Sequence, residues 1–311
     1  MRKVLVTGAA GFTGRYLAHE LAQADYEVIG LVSGPAQADV PFPASMVRVD
    51  LLDAPALAAA VARVEPQLVV HLAAVAFVAH GSAEDIYRVN IMGTCNLLDA
   101  LVALPSPPEL TLLASSANIY GNAQTSGPIV ESHPPAPVND YAVSKLAMEY
   151  VAKLYADRLP LVVSRPFNYT GAGQAEHFLI PKIVAHALRG AAAIELGNID
   201  VARDFSDVRT IVNCYRRLLE APASRGQTLN ICSGQAWTLR QVLDMVREIT
   251  GRSMEIRVNP AFVRAKEVNV LRGDRSALES VIGPVADIPL RDTLRWMLDA
   301  GPGAATALAT R

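Results

Sequence analysis

Short apolar runs alternate with helical patterns of hydrophobic residues along the first half of the chain. The runs predict strands at residues 3–7, 27–31, 46–49, 68–71, 110–114 and 161–164. The helical patterns lie between them, at residues 11–24, 54–64, 83–104 and 140–158. This alternation predicts βαβ units joined by right-handed crossovers. We therefore expect an α/β fold built on a doubly wound parallel sheet.

The pattern is less regular after Pro166, and fewer elements are predicted there. These are helices at 208–220 and 239–250 and strands at 228–231 and 255–258. We predict two lobes from this change of pattern. The sheet lobe comprises residues 1–166 and 205–232, and a smaller C-terminal lobe comprises residues 167–204 and 233–311.

The composition excludes several classes of protein. The chain has 311 residues, 51% of them hydrophobic, with 28 basic and 30 acidic side chains, which excludes a disordered protein and a basic nucleic-acid binder. No stretch has the roughly 18 consecutive apolar residues of a membrane-spanning helix, and the apolar run at residues 4–6 is too short for a signal peptide. We expect a cytoplasmic protein without a membrane or nucleic-acid partner. Its cysteines are too few and scattered for a disulfide framework or a zinc site: Cys95, Cys214 and Cys232.

Three glycines follow the first predicted strand at a regular spacing of three residues. Gly8, Gly11 and Gly14 open the first helix, where free N–H groups and the helix dipole favour an anion. A strand, a glycine-rich turn and a helix in this order predict a pyrophosphate site for a dinucleotide. The residues of the turn assigned to the cofactor with the glycines are Phe12, Thr13 and Arg15.

Tyr141 and Lys145 are four residues apart in the helix predicted at 140–158. That spacing places both side chains on one helix face. A phenol normally titrates near 10, and we expect the ammonium of Lys145 to lower the pKa of Tyr141 toward neutrality. The same spacing also fits an ordinary surface pair.

Together these features resemble the extended short-chain dehydrogenase/reductase family over essentially the whole chain. Tyr141–Lys145 matches the family's YxxxK signature, and residues 112–121 (LLASSANIYG) resemble its SSxxVYG stretch. The resemblance implies a Rossmann fold and a catalytic set of Ser116, Tyr141 and Lys145. In that set Ser116 hydrogen-bonds the reacting oxygen and Lys145 also reaches the nicotinamide ribose. A Ser-Ser pair at a strand end is also common turn chemistry.

The resemblance implies further cofactor contacts. Asp50 and Leu51 would touch the adenine, Asn90 would support the site, and His71 is interpreted as a hydrogen-bonded strand-end histidine. The remaining contacts would lie over the cofactor or close over the nicotinamide: Leu72, Ala73, Ala74, Pro166 and Phe167.

The end of the second strand bears on the choice between NAD and NADP. An acid there accepts the ribose 2′-OH of NAD, but this chain has Ser33, and the next acid is Asp39. Arg15 can meet a 2′-phosphate instead. NADP is therefore predicted, with NAD as the alternative.

Two later segments resemble the GDP-mannose-linked branch of the family: residues 197–208 (GNIDVARDFSDV) and 230–235 (NICSGQ). The resemblance implies a GDP-linked deoxy-sugar whose diphosphate is held by Arg203 and Arg264, because guanidinium forks bind phosphate bidentately. Glu267 would hold the ribose. Three more substrate contacts are assigned: Asn168, Lys182 and Asn198. Lys182 fits a solvated surface residue equally well, and Asn198 fits a turn.

The implied activity is NAD(P)H-dependent reduction of the C4 keto group of GDP-4-dehydro-6-deoxy-D-mannose, giving GDP-D-rhamnose. A nucleotide-sugar 4-epimerase needs the same residues and stays open. A 4,6-dehydratase is disfavoured because Asn118 stands where that reaction needs a carboxylate base. A non-catalytic redox sensor that binds the dinucleotide is the alternative from another class. The configuration at C4 of the product is left open.

The chain also departs from the family pattern, at Asp140, Tyr169, Ala172 and Gly283-Pro284. These differences weaken the assignment of a particular sugar without removing any catalytic group. The helices predicted at 83–104 and 140–158 carry more apolar surface than one sheet face needs, and the family pairs them as a four-helix bundle. We therefore expect a homodimer.

Overall fold

In the computed structural model, described for residues 1–34, 45–76, 82–121, 127–260 and 270–301, a parallel sheet forms the centre of the molecule. Seven strands of the described chain belong to it: β1 (Lys3–Thr7), β2 (Glu27–Val32), β3 (Ser45–Arg48), β4 (Leu68–His71), β5 (Leu110–Ala114), β6 (Leu161–Pro166) and β10 (Thr228–Ile231). Their order is β3-β2-β1-β4-β5-β6-β10, and every neighbouring pair is parallel. The strand order reverses between β1 and β4, which is where doubly wound sheets bind ligands. The predicted fold class is confirmed.

Helices cover both faces of this sheet. Val4 and Val6 of β1 face one side and Leu5 faces the other, and all three are fully buried, as expected for a parallel sheet. On the first side lie α1 (Phe12–Gln23), α7 (Val208–Glu220) and α9 (Ser276–Ile282). On the second side lie α2 (Ala54–Val64), α4 (Gly93–Val102) and α5 (Asp140–Lys153), and α3 (Ala83–Tyr87) packs against α5.

The helix predicted at 83–104 is interrupted by a π-helical turn, Arg88–Met92, between α3 and α4. The turn brings Asn90 inside, where only 1% of its surface is exposed. Its Nδ2 donates to Val75 O at 3.1 Å and to Ser144 Oγ at 2.9 Å, and its Oδ1 accepts from Val75 N at 2.8 Å. The irregular turn therefore ties the chain after β4 to α5.

The rest of the described chain forms a smaller sheet, a two-stranded ribbon and three α-helices. In the smaller sheet, β9 (Ala202–Asp207) is hydrogen-bonded to three strands: β7 (Asn168–Thr170), β11 (Ala236–Thr238) and β13 (Val270–Leu271). The ribbon pairs β8 (Ala193–Leu196) with β12 (Glu255–Val258). The helices α6 (Leu179–Leu188), α8 (Leu239–Thr250) and α10 (Leu290–Ala300) share one hydrophobic cluster.

The predicted lobe boundary at residue 205 falls inside β9. β9 pairs with β7, β11 and β13 and not with the central sheet, so residues 205–207 group with the smaller sheet. The division into two lobes stays a prediction. No helix within the described ranges is long and apolar enough to cross a membrane.

Candidate active site

A cavity of about 450 Å³ opens where the central strands end, between the large sheet and β7. It brings together most of the predicted site residues. Those lining it are Gly8, Gly11, Phe12, Thr13, Gly14, Leu72, Ala74, Ser116, Tyr141, Lys145, Pro166, Phe167 and Asn168. The three catalytic candidates and the glycine-rich turn therefore share one cavity.

The glycine-rich turn is folded so tightly that side chains would not fit. Gly8 has φ +68°, and a Cβ there would lie 2.8 Å from Ala73 N. A Cβ at Gly14 would lie 2.4 Å from Gly8 O. Gly11 is the N-cap residue of α1 and makes no side-chain capping bond, so N–H groups of the first turn stay available to a ligand. This cradle fits the pyrophosphate of a dinucleotide.

Arg15 follows the turn, and its Nε is buried without a hydrogen-bond partner within the described chain. An unpaired buried donor costs about 1–3 kcal/mol, so an anionic group bound beside the turn would satisfy it. Ser33 and Asp50 follow the paired strands β2 and β3, both exposed at the same edge of the sheet, with Leu51 buried next to Asp50. This edge and the turn fit a dinucleotide.

His71 ends β4, and its hydrogen bonds fix which ring nitrogen carries the proton. Thr94 Oγ1 donates to Asn90 O at 2.7 Å, so it must accept from His71 Nε2 at 3.0 Å. Thr7 Oγ1 accepts from Ala73 N at 3.1 Å and donates to His71 Nδ1 at 2.7 Å. Burial lowers the pKa of His71 to about 3, assisted by the charge of Lys145. The interpretation of His71 as a hydrogen-bonded strand-end histidine agrees with this geometry.

The three catalytic candidates come from two elements. Ser116 follows β5 and caps a short 3₁₀ helix (Ala117–Tyr120), accepting from Asn118 N at 3.1 Å. Tyr141 lies in the first turn of α5 and lines the same cavity as Ser116. Lys145, one turn further, donates from Nζ to Ala114 O at 2.7 Å. The fold thus brings the end of β5 against the start of α5.

The structure corrects the expected effect of Lys145 on Tyr141. Burial raises the pKa of the Tyr141 phenol well above its ordinary value, Tyr169 adds to this rise, and the Ser116 hydrogen bond opposes it. Burial also lowers the pKa of Lys145 to about 8, opposed by the charge of Glu149. The Lys145 Nζ lies 6.0 Å from the centre of the Tyr141 ring, and loss of solvation outweighs its attraction. Tyr141 is therefore protonated near neutral pH, as a proton donor must be.

The predicted substrate residues are more dispersed. Asn168 lines the cavity and donates from Nδ2 to Asp204 O at 3.4 Å. Lys182 lies on α6 and donates to Glu195 O at 2.7 Å. Asn198 accepts from Asp200 N at 3.0 Å, which makes a local turn. Arg203 lies on β9, where its Nη1 donates to Ala202 O at 2.9 Å. Two predicted contacts lie outside the described residues: Arg264 and Glu267.

No site role was predicted for several further residues of the cavity wall, among them Tyr169, Gln174, His177 and Phe178. Tyr169 OH lies 2.8 Å from Thr13 Oγ1, and Gln174 Nε2 donates to Tyr169 O at 3.2 Å. Tyr169 follows the Pro166-Phe167-Asn168 turn directly, which was an available signal. The loop leading to α6 offers no such signal in the sequence, because only folding places it over the ends of the central strands.

A doubly wound sheet with a glycine-rich turn and a Ser-Tyr-Lys set beside it defines a nicotinamide-dinucleotide-dependent enzyme. Residues 4–232 match the NAD dependent epimerase/dehydratase family, and the chain belongs to this family. The resemblance to extended short-chain dehydrogenases/reductases is thereby confirmed.

Two relatives and one solved structure are similar along nearly the whole chain. GDP-6-deoxy-D-talose 4-dehydrogenase of Aggregatibacter actinomycetemcomitans is 35% identical over 90% of this chain and 91% of its own. GDP-6-deoxy-D-mannose reductase of Pseudomonas aeruginosa is 34% identical over 96% of both. The structure of RMD from Pseudomonas aeruginosa complexed with NADPH has a TM-score of 0.80 and 31% identity, over 96% of this chain and 98% of that one.

Proposed function

We propose that the protein reduces the C4 keto group of GDP-4-dehydro-6-deoxy-D-mannose to give GDP-D-rhamnose, with NADPH as the reductant. The observation that carries the proposal is the meeting of Ser116, Tyr141 and Lys145 with the dinucleotide turn in one cavity. The family and both relatives support the coarser statement that the enzyme modifies a nucleotide sugar. The reductase relative supports the particular reaction.

The residues of the cavity suit this reaction. NADPH, when bound, supplies a hydride. Tyr141 donates its phenolic proton to the oxygen that becomes the C4 hydroxyl. Because Ser116 Oγ already accepts from Asn118 N, its own O–H proton is available to that same oxygen. Hydrogen bonds aimed at a developing alkoxide are usually the largest contribution to such catalysis.

The cofactor would be held by the N-terminal turn of α1. Gly8, Gly11 and Gly14 give the pyrophosphate close access to backbone N–H groups. Arg15 supports a preference for NADP, because its buried Nε has no hydrogen-bond partner in the described ranges and no acid follows β2 among the residues described there.

A second product is supported by the other relative. The chain is 35% identical to a GDP-6-deoxy-D-talose 4-dehydrogenase, and GDP-6-deoxy-D-talose differs from GDP-D-rhamnose only in configuration at C4. The same Ser116, Tyr141 and Lys145 serve either product, because the hydride face depends on how the sugar is turned.

The proposal includes a homodimer and a cytoplasmic location. Val143, Tyr150 and Leu154 are 39%, 59% and 75% exposed on α5 and beyond its end, and Met92 is 52% exposed beside α4. Residues 143, 150 and 154 follow the spacing of one helix face, so an apolar seam runs along α5. All three cysteines are free, which fits a reducing compartment.

The proposal is tested by NADPH oxidation with GDP-4-dehydro-6-deoxy-D-mannose, followed by NMR of the product at C4. Stoichiometric oxidation with the rhamno configuration is expected, and the talo configuration selects the second product. Interconversion of C4 epimers without net oxidation would replace the proposal with an epimerase, and no turnover would favour a redox sensor.

GDP should also raise the thermal unfolding temperature of the protein more than UDP at equal concentration, because a tighter ligand stabilises the folded state more.

A further inference from the structure

A buried ion pair lies behind the catalytic residues. Arg165 donates from Nε to Glu149 Oε1 at 2.9 Å and from Nη2 to Glu149 Oε2 at 2.7 Å. The two residues are 8% and 5% exposed. Removing both charges from water costs free energy that such a pair often does not recover. Fold stability alone is therefore a weak reason for placing a carboxylate here.

The same carboxylate anchors the residue next to Ser116. Ser115 Oγ donates to Glu149 Oε1 at 2.5 Å, and Ser115 N donates to Ser164 O at 2.8 Å. Ser116 has an extended backbone, with φ −161° and ψ 145°, so successive side chains point to different sides. Holding Ser115 on the Glu149 side therefore directs Ser116 toward Tyr141.

Glu149 also faces Lys145, one turn earlier on α5. Lys145 is 3% exposed, and its ammonium donates to a neutral acceptor, Ala114 O. Of the described residues, Tyr141 on α5 and His71 on β4 also face it and are neutral near pH 7, whereas Arg165 on β6 carries a positive charge paired with Glu149. Glu149 is the group whose charge opposes the effect of burial on the pKa of Lys145.

The far side of the ion pair is tied to three other segments. Arg165 Nη1 donates to Tyr120 OH and to Glu131 O, both at 2.9 Å. Tyr120 OH donates to Asn230 Oδ1 at 2.7 Å on β10. These bonds hold the Glu149 carboxylate in one place relative to the ends of β5, β6 and β10.

We propose that Glu149 is a positioning residue of the active site, whose carboxylate holds Ser115, and through it Ser116, and supplies the counter-charge of the buried Lys145 ammonium. The catalytic meaning of these two contacts rests on the proposed function. The contacts themselves do not.

The experiment measures the titration of Lys145 directly, by NMR of protein labelled with ¹³Cε-lysine, with the Lys145→Arg spectrum giving the assignment. An opposite charge one helical turn away shifts a pKa by about 1 or more. Glu149→Gln should therefore move the Lys145 pKa from about 8 to about 7. The kcat/KM for ketone reduction should then fall about fivefold more at pH 8 than at pH 6, following the protonated fraction of Lys145.

Two matched variants separate the roles of Glu149. Glu149→Asp keeps the charge and should leave the Lys145 pKa near the wild-type value. Ser115→Ala keeps Glu149 intact and should lower kcat/KM by the same factor at every pH, without moving the Lys145 titration. If circular dichroism shows that Glu149→Gln is unfolded, Glu149→Gln/Arg165→Gln removes the unpaired guanidinium and should still lower the Lys145 pKa, by less than the single variant, because a cation is lost together with the carboxylate.

An unchanged Lys145 pKa in the folded Gln variant, single or double, would overturn the role of counter-charge. Wild-type kinetics in Ser115→Ala would overturn the positioning of Ser116. If the wild-type protein does not reduce the ketone, the proposed function fails by itself, while the NMR titration still decides whether Glu149 sets the charge of Lys145.

Discussion

The hydroxyl groups of Thr13 and Tyr169 lie 2.8 Å apart and join the two sides of the cavity. Thr13 lies in the first turn of α1, beside the glycine-rich turn. Tyr169 is the middle residue of β7, which pairs with β9 outside the central sheet. The Tyr169 ring also stacks on Phe12, with ring centres 6.3 Å apart. The glycine-rich turn and β7 are thus coupled through one side chain.

A double-mutant cycle tests this coupling. Thr13→Val and Tyr169→Phe should each lower the free energy of unfolding by about 1 kcal/mol, and the double variant should lose about 1 kcal/mol less than the sum. Denaturant unfolding measures all four proteins. Thr13→Val combined with Tyr155→Phe should be additive, since the bond from Tyr155 to Asp99 lies on the opposite face of the central sheet from α1. If the losses of unfolding free energy for Thr13→Val and Tyr169→Phe simply add, the hydrogen bond between these residues contributes nothing to stability.

Tyr141→Phe should leave NADPH binding nearly intact and lower turnover by about 10²–10⁴-fold, the usual value of a positioned acid. Fluorescence titration measures binding and NADPH oxidation measures turnover. Tyr150→Phe is the control, because Tyr150 is 59% exposed and outside the cavity. Turnover of Tyr141→Phe within threefold of wild type would remove Tyr141 as the proton donor.

Arg15→Ala should weaken NADPH binding by about tenfold and leave NADH binding unchanged, because a charged hydrogen bond contributes about 1.5–3 kcal/mol. Titrating both cofactors against both proteins measures this. Arg15→Lys keeps the charge without the guanidinium fork, so its affinity for NADPH should lie between those of the wild type and Arg15→Ala. If the wild-type protein prefers NADH and Arg15→Ala leaves that preference unchanged, the assignment to NADP is contradicted.

His71 should make the protein less stable in acid. Its pKa is about 3 in the folded chain against an ordinary 6.5, so the unfolded chain binds a proton in that interval and the folded chain does not. The free energy of unfolding should therefore fall by about 1.4 kcal/mol per pH unit from this group as the pH drops from 6.5 toward 3.

The measurement is urea unfolding of wild type and His71→Gln between pH 4 and pH 7.5. The variant should be less stable at pH 7.5, with a shallower dependence on pH below 6.5. His19→Gln controls for the loss of an imidazole elsewhere. Parallel curves for wild type and His71→Gln would show that His71 does not carry the effect.

Tyr150→Glu/Leu154→Glu should convert a wild-type dimer to a monomer, because charges along the apolar seam of α5 are costly to bury between copies. Sedimentation velocity at micromolar concentration measures the mass. Val258→Glu is the control, since Val258 is 53% exposed on β12, away from the seam. A monomeric wild type would reject the dimer.

Local patterns predicted the central sheet well. Strands β1, β4 and β5 begin and end where their apolar runs do, since buried parallel strands read as continuous hydrophobic stretches. β9 was missed because its sequence, ARDFSD, is largely polar. Its Asp204 is instead buried under donors from Ser233, Gly234 and Gly273, which only folding brings together.

The sequence by itself determined the strand–turn–helix at Gly8–Gly14 and the Tyr141–Lys145 pair, because backbone sterics and helical spacing act between near neighbours. Tertiary structure decided how those groups behave. Burial raised the pKa of Tyr141 where spacing alone suggested lowering. Glu149 meets Ser115, and Thr13 meets Tyr169, across 34 and 156 residues of chain. Desolvation and long-range contacts depend on the whole packed fold, so no local pattern encodes them.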